Sequence, residues 1–232
     1  MTCATDRGNL AGRRALITSA DIYMGPAITE RFRADGVRVI ADTNDYRKDP
    51  EFPARIVADA LPLDILVVNL IPTALASEPA HRQSDTEWNL AFEAMVHPTM
   101  RFVRAVLPGM IERRRGKIIV VTSTAPLQPR PNRAAYTAAR GAQNAYVRAV
   151  GVEVAGHNVQ VNAIAQSYVY GGFKENFLED PANREVVLRE VPAQRLAEGW
   201  EQAALVRFLA SDESNYFSGQ VLSFSGGRVT HS

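Results

Sequence analysis

Short apolar runs alternate with amphipathic stretches along the chain. The runs are apolar at consecutive positions, which is typical of strands buried on both faces, whereas the stretches between them repeat apolar residues at helical spacing. The pattern predicts strands at residues 15–17, 37–41, 65–68, 117–122, 159–164 and 221–224. It predicts helices at residues 26–34, 52–60, 85–111, 134–155 and 200–210, with an irregular insertion at 166–193.

Strands that alternate with helices form parallel sheets, because each crossover helix packs back onto the sheet and covers one face. The alternation therefore predicts an α/β fold, a doubly wound and Rossmann-like parallel sheet of about seven strands with helices on both faces. No linker or repeat interrupts the pattern, so we expect a single catalytic domain over residues 1–232. Ligands of such sheets bind at the carboxyl ends of the strands.

The composition argues against several classes of function. The chain has 232 residues, of which 46% are apolar and 22% charged, and its net charge is +1. Neither nucleic acid nor a membrane is therefore expected as a partner. Cys3 is the only cysteine and the four histidines are scattered, which predicts no disulfide and no metal site. The N-terminal residues do not resemble a signal peptide, and we expect a cytoplasmic location.

The turn after the first strand bears on cofactor binding. In a dinucleotide-binding sheet, glycines in this turn let the backbone approach a pyrophosphate. Here Ser19 and Tyr23 stand where the first two glycines are expected, and Gly25 alone remains. A tyrosine ring would fill the space of the phosphates, so no dinucleotide cofactor is predicted. Asp42 ends the second strand, where an acid binds ribose in this fold, but we interpret it as a turn-forming residue.

A set of candidate catalytic residues follows the fourth strand. Ser123 lies at its end, Tyr136 opens the next helix, and Arg140 comes four residues later, so the last two share a helix face. A cation close to a phenol lowers its pKa from the ordinary value of about 10. Tyr136 is therefore predicted to be a general base activated by Arg140, with Ser123 donating a hydrogen bond to the substrate oxygen.

A strand-end serine followed by Y-x3-K on the next helix is the motif of the short-chain dehydrogenases/reductases, which this sequence resembles over nearly its whole length. Three departures stand out. Arg140 replaces the lysine, Met95 stands at the helix asparagine of a proton relay, and Gln166 and Ser167 replace a proline and a glycine. Weaker matches to the superfamily lie at residues 161–164, 209–212, 219–221 and 226–227.

Two of the changes together point to one branch of that superfamily. Thr18, Tyr23 and Gly25 match T-x4-F/Y-x-G, and with the Ser–Tyr–Arg set this resembles the halohydrin dehalogenases. That family keeps the reductase fold and uses no nicotinamide cofactor. The resemblance implies a carbon–halide lyase that converts a vicinal haloalcohol to an epoxide, halide and a proton. The reverse reaction would open epoxides with halide, azide, cyanide or nitrite.

The resemblance also implies a halide site and an oligomeric state. The family's nucleophile-binding loop corresponds to Gln166, Ser167, Tyr168 and Val169, with the backbone N–H groups of the last two as donors and Tyr23 as a wall. The long helices around residues 86–110 and 134–155 carry more apolar positions than one sheet face should cover. We therefore expect a homotetramer, built as a dimer of dimers.

Two other readings remain open from the sequence. The first is an NAD(P)-dependent short-chain oxidoreductase whose turn binds the cofactor in an unusual way. The second is a protein without catalytic activity that serves as a binding or scaffold protein. The joint spacing of Ser123, Tyr136 and Arg140 argues against the second, because no structural requirement demands those three residue types together.

Overall fold

The computed structural model describes residues 8–72, 75–170 and 179–230, so Cys3 lies outside the described residues. Its centre is one sheet whose strand order is β2-β1-β3-β4-β5-β6, with every neighbouring pair parallel. The strands are β1 (Arg14–Ile17), β2 (Arg38–Ala41), β3 (Ile65–Asn69), β4 (Gly116–Ser123), β5 (Val159–Gln166) and β6 (Val221–Phe224).

Helices fill the connections between the strands. They are α1 (Gly25–Ala34), α2 (Phe52–Ala60), α3 (Asp85–Ala91), α4 (His97–Glu112), α5 (Ala134–Val154), α6 (Pro181–Glu190) and α7 (Gly199–Ala210). A π-helical segment, Phe92–Val96, joins α3 to α4, so the predicted helix over 85–111 is one helical run with a wider turn in its middle. Within the described ranges, no helix combines the length and the apolar character needed to span a bilayer.

The predicted doubly wound parallel sheet is confirmed, with six strands in the described part of the chain rather than about seven. The difference arises between β2 and β3. That connection holds α2 and turns only, so no further strand extends the sheet beyond β2. As the edge strand, β2 is partly exposed along its length, whereas β3 is buried at every position.

Two apolar clusters cover the two faces of the sheet. One joins α2, α4 and α5 to the sheet through residues such as Val57, Phe102 and Val147. The other joins α1 and α7 through Phe32 and Val206. The strands in the middle of the sheet are apolar on both faces because both faces are covered, which is the reason that their sequences read as continuous apolar runs.

The carboxyl ends of the strands meet at one edge, and this edge positions the candidate site. The chain reverses its direction of winding between β1 and β3, so a crevice opens beyond these two strand ends. Ser123 at the end of β4 is in register with Gln166 at the end of β5. The predicted serine and the start of the predicted halide loop therefore lie side by side.

Close packing of α5 against the loop before β6 provides a test of the fold. A Cβ on Gly151 would lie 2.3 Å from the backbone nitrogen of Gly219. Glycine to alanine in a helix ordinarily stabilises by about 1 kcal/mol, but here we expect Gly151→Ala to destabilise the protein by about 1–3 kcal/mol because the backbones must separate. Urea unfolding followed by circular dichroism measures the change.

Gly156 provides the matched control, because nothing lies within 4 Å of a Cβ built on it. We expect Gly156→Ala to change the free energy of unfolding by no more than about 0.5 kcal/mol. Equal effects of the two substitutions would contradict the predicted contact between α5 and Gly219.

Candidate active site

The turn between β1 and α1 keeps the shape of a glycine turn without its glycines. Ser19 has φ 46° and Tyr23 has φ 58°, and both values lie in the left-handed region that glycine adopts most readily. A non-glycine residue there costs about 1–2 kcal/mol. Gly25 remains because a Cβ on it would lie 2.4 Å from the Ser19 carbonyl oxygen. The turn therefore has the backbone conformation of a glycine turn but carries a tyrosine side chain at one of the glycine positions.

Hydrogen bonds from β3 hold this turn in place. The side-chain amide of Asn69 donates to the carbonyl oxygens of Ser19 at 2.9 Å and Ile22 at 3.1 Å. The Asn69 backbone N–H donates to Thr18 Oγ1 at 2.8 Å. These bonds offset part of the strain of the left-handed residues, and they fix the backbone from which Tyr23 projects.

Asp42 is buried and its carboxylate is already engaged. It accepts hydrogen bonds from the Tyr46 hydroxyl and the Asn44 side-chain amide. The Tyr46 hydroxyl in turn accepts from the Ser19 backbone N–H at 3.2 Å. Asp42 therefore holds the strand end to the first turn, which agrees with its interpretation as a structural residue.

The predicted site residues come together around one cavity of about 230 Å³. All but one of them line it: Tyr23, Ser123, Tyr136, Gln166, Ser167, Tyr168 and Val169. Arg140 is the exception. It is fully buried behind Tyr136, with its Cζ 5.3 Å from the centroid of the Tyr136 ring. Among the described residues, no group of three or more His, Cys, Asp or Glu side chains could hold a metal ion.

The guanidinium of Arg140 is held by neutral acceptors. Its terminal nitrogens donate to the Leu70 carbonyl at 2.8 Å, the Val121 carbonyl at 3.1 Å and Gln143 Oε1 at 3.0 Å. Within the described ranges no carboxylate forms an ion pair with it. A buried charge without a counter-ion is costly, so an anion formed beside Arg140 is strongly favoured.

Tyr136 is the group beside Arg140 that can supply this anion. Burial opposes its ionisation, but the Arg140 charge, hydrogen bonds from Ser123 and Arg140, and the Arg133 charge outweigh burial and lower the pKa of Tyr136. Tyr23 behaves in the opposite way. Burial, and then the negative charge of Tyr136, raise the pKa of Tyr23 despite the nearby Arg140. The two shifts favour ionisation of Tyr136 and the neutral form of Tyr23.

The loop after β5 lines the cavity through residues that include Tyr168 and Val169. The backbone N–H groups of Tyr168 and Val169 donate to no acceptor within the described ranges, whereas that of Ser167 donates to the Phe224 carbonyl at 2.9 Å. The buried Ser167 hydroxyl has no partner in the described part of the chain. The Gln166 side chain instead accepts a hydrogen bond from Gln202. Burial raises the pKa of Tyr168, so its ring also stays neutral.

Several residues that the sequence analysis did not single out also belong to the site. Arg130, Arg133 and Arg228 line the cavity. Gln143 stands behind Arg140, and its Nε2 donates to Thr99 Oγ1 at 2.8 Å and to the Met95 carbonyl at 3.1 Å. In the sequence, only their position in the chain marks these arginines as site residues. The arginines follow the ends of β4 and β6, where charged residues face the ligand edge.

Comparison with known proteins identifies the family. A family model described as enoyl-(acyl carrier protein) reductase matches residues 26–228. The 3-oxoacyl-(acyl-carrier-protein) reductase of Escherichia coli (strain K12) is 30% identical, over 94% of this chain and 98% of the relative. The chain belongs to the short-chain dehydrogenase/reductase superfamily. Members of this superfamily are usually oligomeric and act on small substrates.

Solved structures of the superfamily include proteins with different activities. A structure named "Dehalogenation enzyme" is 28% identical with a TM-score of 0.87, over 95% of this chain and 100% of that one. A gluconate 5-dehydrogenase from Burkholderia cenocepacia J2315, solved in complex with NADP and tartrate, has a TM-score of 0.88 at 24% identity, over 97% and 98% of the two chains. The second likeness shows the fold alone.

The superfamily's reductases use a nicotinamide dinucleotide, but the residues of this chain do not fit one. Tyr23 stands at a glycine position of the phosphate turn. The Asp42 carboxylate is engaged by Tyr46 and Asn44. Both terminal nitrogens of Arg140 are engaged by protein acceptors rather than directed at a ribose.

The pKa of Tyr136 can be tested without a substrate. Because its pKa is lowered while those of Tyr23, Tyr46, Tyr146 and Tyr168 are raised, Tyr136 should ionise before these tyrosines as the pH rises. Ultraviolet absorbance of tyrosinate against pH measures this ionisation. Tyr136→Phe should remove the early step, and Tyr146→Phe, on the same helix, should keep it. An early step that survives in Tyr136→Phe would contradict the assignment.

Proposed function

We propose that this protein is a halohydrin dehalogenase, a cofactor-independent carbon–halide lyase. The observation that carries the proposal is the placement of Tyr23, a neutral phenol that lines the same cavity as Ser123 and Tyr136 from the position of a cofactor-binding glycine. Tyr136 and Arg140 retain a base and its activating cation, whereas the Tyr23 side chain fills the turn in which a cofactor phosphate would bind. The "Dehalogenation enzyme" structure, similar over nearly the whole chain, also supports the proposal.

The first step is removal of a proton from the substrate. The Tyr136 phenolate, favoured by Arg140, accepts the proton of the haloalcohol hydroxyl. Ser123, which otherwise bonds to Tyr136, donates to the substrate oxygen and holds it beside the base. Because the folded-state pKa of Tyr136 is lowered, activity is present above that pKa and is lost as the pH falls through it.

The second step is an intramolecular displacement. The deprotonated oxygen attacks the neighbouring carbon, the carbon–halogen bond breaks, and the halide leaves with the bonding electron pair. Nucleophile and leaving group belong to one molecule, so the reaction gains from proximity. The free N–H groups of Tyr168 and Val169 would receive the halide, with Ser167, Gln166 and Tyr23 as the surrounding wall. The proton on Tyr136 then passes to solvent.

An NAD(P)-dependent short-chain oxidoreductase is the second candidate. It is favoured by the relatives in sequence, which include 3-oxoacyl-(acyl-carrier-protein) reductases. Fluorescence titration with NADPH separates the two candidates, because tight and saturable binding by the wild-type protein is required by the oxidoreductase and is not expected of the dehalogenase.

Three further expectations belong to the same proposal. Residues 1–232 would act as one catalytic domain, the protein would be cytoplasmic, and the small substrate and halide would be its ligands. We also expect a homotetramer, in which the exposed Val152 on α5, 78% accessible, would become covered.

Halide release tests the proposal directly. We expect the protein to release halide and a proton from a vicinal chloro- or bromoalcohol with no nicotinamide present. Tyr136→Phe should lower the rate at least about a hundredfold because the base is lost, and Ser123→Ala about a hundred- to a thousandfold because the oxygen loses a donor. Ion chromatography of halide measures the rate.

Tyr146→Phe is the matched control, since Tyr146 lies on α5 away from the cavity lining. Its rate should stay close to that of the wild type. Absence of halide release from a broad panel of haloalcohols, with folded protein confirmed by circular dichroism, would overturn the proposal.

A further inference from the structure

The cavity carries more positive charge than the dehalogenation mechanism requires. Three arginines line it, Arg130, Arg133 and Arg228, and none of the described lining residues is acidic. Two of them flank the Tyr168 ring, with Cζ atoms 5.1 Å (Arg130) and 5.9 Å (Arg228) from its centroid. The Cζ of Arg133 lies 5.8 Å from the centroid of the Tyr136 ring. The arginines therefore surround the place where the substrate would react.

One carboxylate serves two of these arginines. Glu190 on α6 pairs with Arg130 and, at 3.3 Å, with Nε of Arg228. Arg228 also donates to Thr124 Oγ1 at 3.3 Å, and only 7% of its side chain is exposed. Arg133 forms no ion pair and no hydrogen bond through its side chain within the described ranges. Among the described residues, these three cations and one carboxylate leave two positive charges without an ion-pair partner.

Cations without a counter-ion that line one cavity repel one another and favour an anionic ligand. A halide on the Tyr168 side would balance one charge. The other lies on Arg133, on the Tyr136 side, where Arg133 shares the Tyr136 phenolate with Arg140, and that negative charge is lost when Tyr136 accepts the substrate proton. A guanidinium offers paired donors that match the two oxygens of a carboxylate.

We propose that the substrate is a short haloalcohol or epoxide that carries a carboxylate, and that Arg133 binds this carboxylate. The inference rests on the proposed dehalogenase function and adds the substrate class. A cavity of about 230 Å³ suits a small molecule. One halide and one carboxylate together match the two unbalanced positive charges, whereas a dianionic phosphate ester plus halide would exceed them. The Arg133 charge would also offset the charge of the substrate carboxylate, which would otherwise oppose the ionisation of Tyr136.

A matched pair of substrates tests the charge preference. γ-Chloro-β-hydroxybutyrate and its primary amide share a carbon skeleton and differ in the negative charge. The wild-type protein should have a kcat/KM at least about tenfold higher for the acid, mainly through KM, because a charge-assisted hydrogen bond is stronger than one between neutral groups. Arg133→Gln should remove this preference, so that the ratio of kcat/KM for the acid to kcat/KM for the amide falls to about one, whatever the substitution does to both rates through Tyr136.

Two further variants keep the test interpretable. Arg38→Gln removes an exposed charge on β2, far from the cavity lining, and should keep the preference for the acid. Arg133→Lys keeps the charge without the paired donors and should retain part of the preference. If the wild-type protein converts the amide as well as the acid, the carboxylate site is wrong while the dehalogenase function stands.

If neither compound releases halide, the dehalogenase function is wrong, and binding still decides the carboxylate site. Calorimetric titration with β-hydroxybutyrate and its amide then serves as the test. Binding of the acid that is stronger than that of the amide and is lost in Arg133→Gln supports the site. Equal or absent binding of both compounds overturns it.

Discussion

The buried guanidinium of Arg140 connects the sheet, the long helix and the site. It donates to the Val121 carbonyl within β4, to the Leu70 carbonyl directly after the neighbouring β3, and to Gln143. Gln143 in turn donates to Thr99 and to the Met95 carbonyl in the π-helical segment. None of these partners is an anion, so the cation is solvated by the protein without being neutralised. The nearby phenol of Tyr136 then becomes the place where negative charge is most favoured, and the remaining chemistry follows from that.

The first turn shows how a reductase fold could lose its cofactor with little change in its backbone. Ser19 and Tyr23 occupy left-handed conformations suited to glycine, and Asn69 holds the turn in place. Family membership and the chemistry of the site therefore carry different information. The relatives establish the superfamily, whereas the side chains that fill or line the cofactor region argue for an activity that several of those relatives do not share.

The order of strands, the helices and the Ser–Tyr–Arg spacing could be predicted from the sequence because each leaves a local or periodic signal. The edge of the sheet could not be predicted, because no sequence motif marks the absence of a strand beyond β2. The ring of arginines escaped prediction for another reason. Arg130 and Arg228 are separated by much of the chain and meet Glu190 only in the folded protein, and no spacing rule connects them.

A crystal of the protein soaked in bromide tests the central claim most directly, namely that a halide site has replaced the nicotinamide site. Anomalous scattering locates bromide without reference to the protein density. The account predicts a bromide within hydrogen-bond distance of the Tyr168 and Val169 N–H groups, facing Tyr136 and beside an unmoved Tyr23. Crystals grown with NADP that show the dinucleotide bound along the first turn, with Tyr23 displaced and no bromide in the cavity, would contradict it.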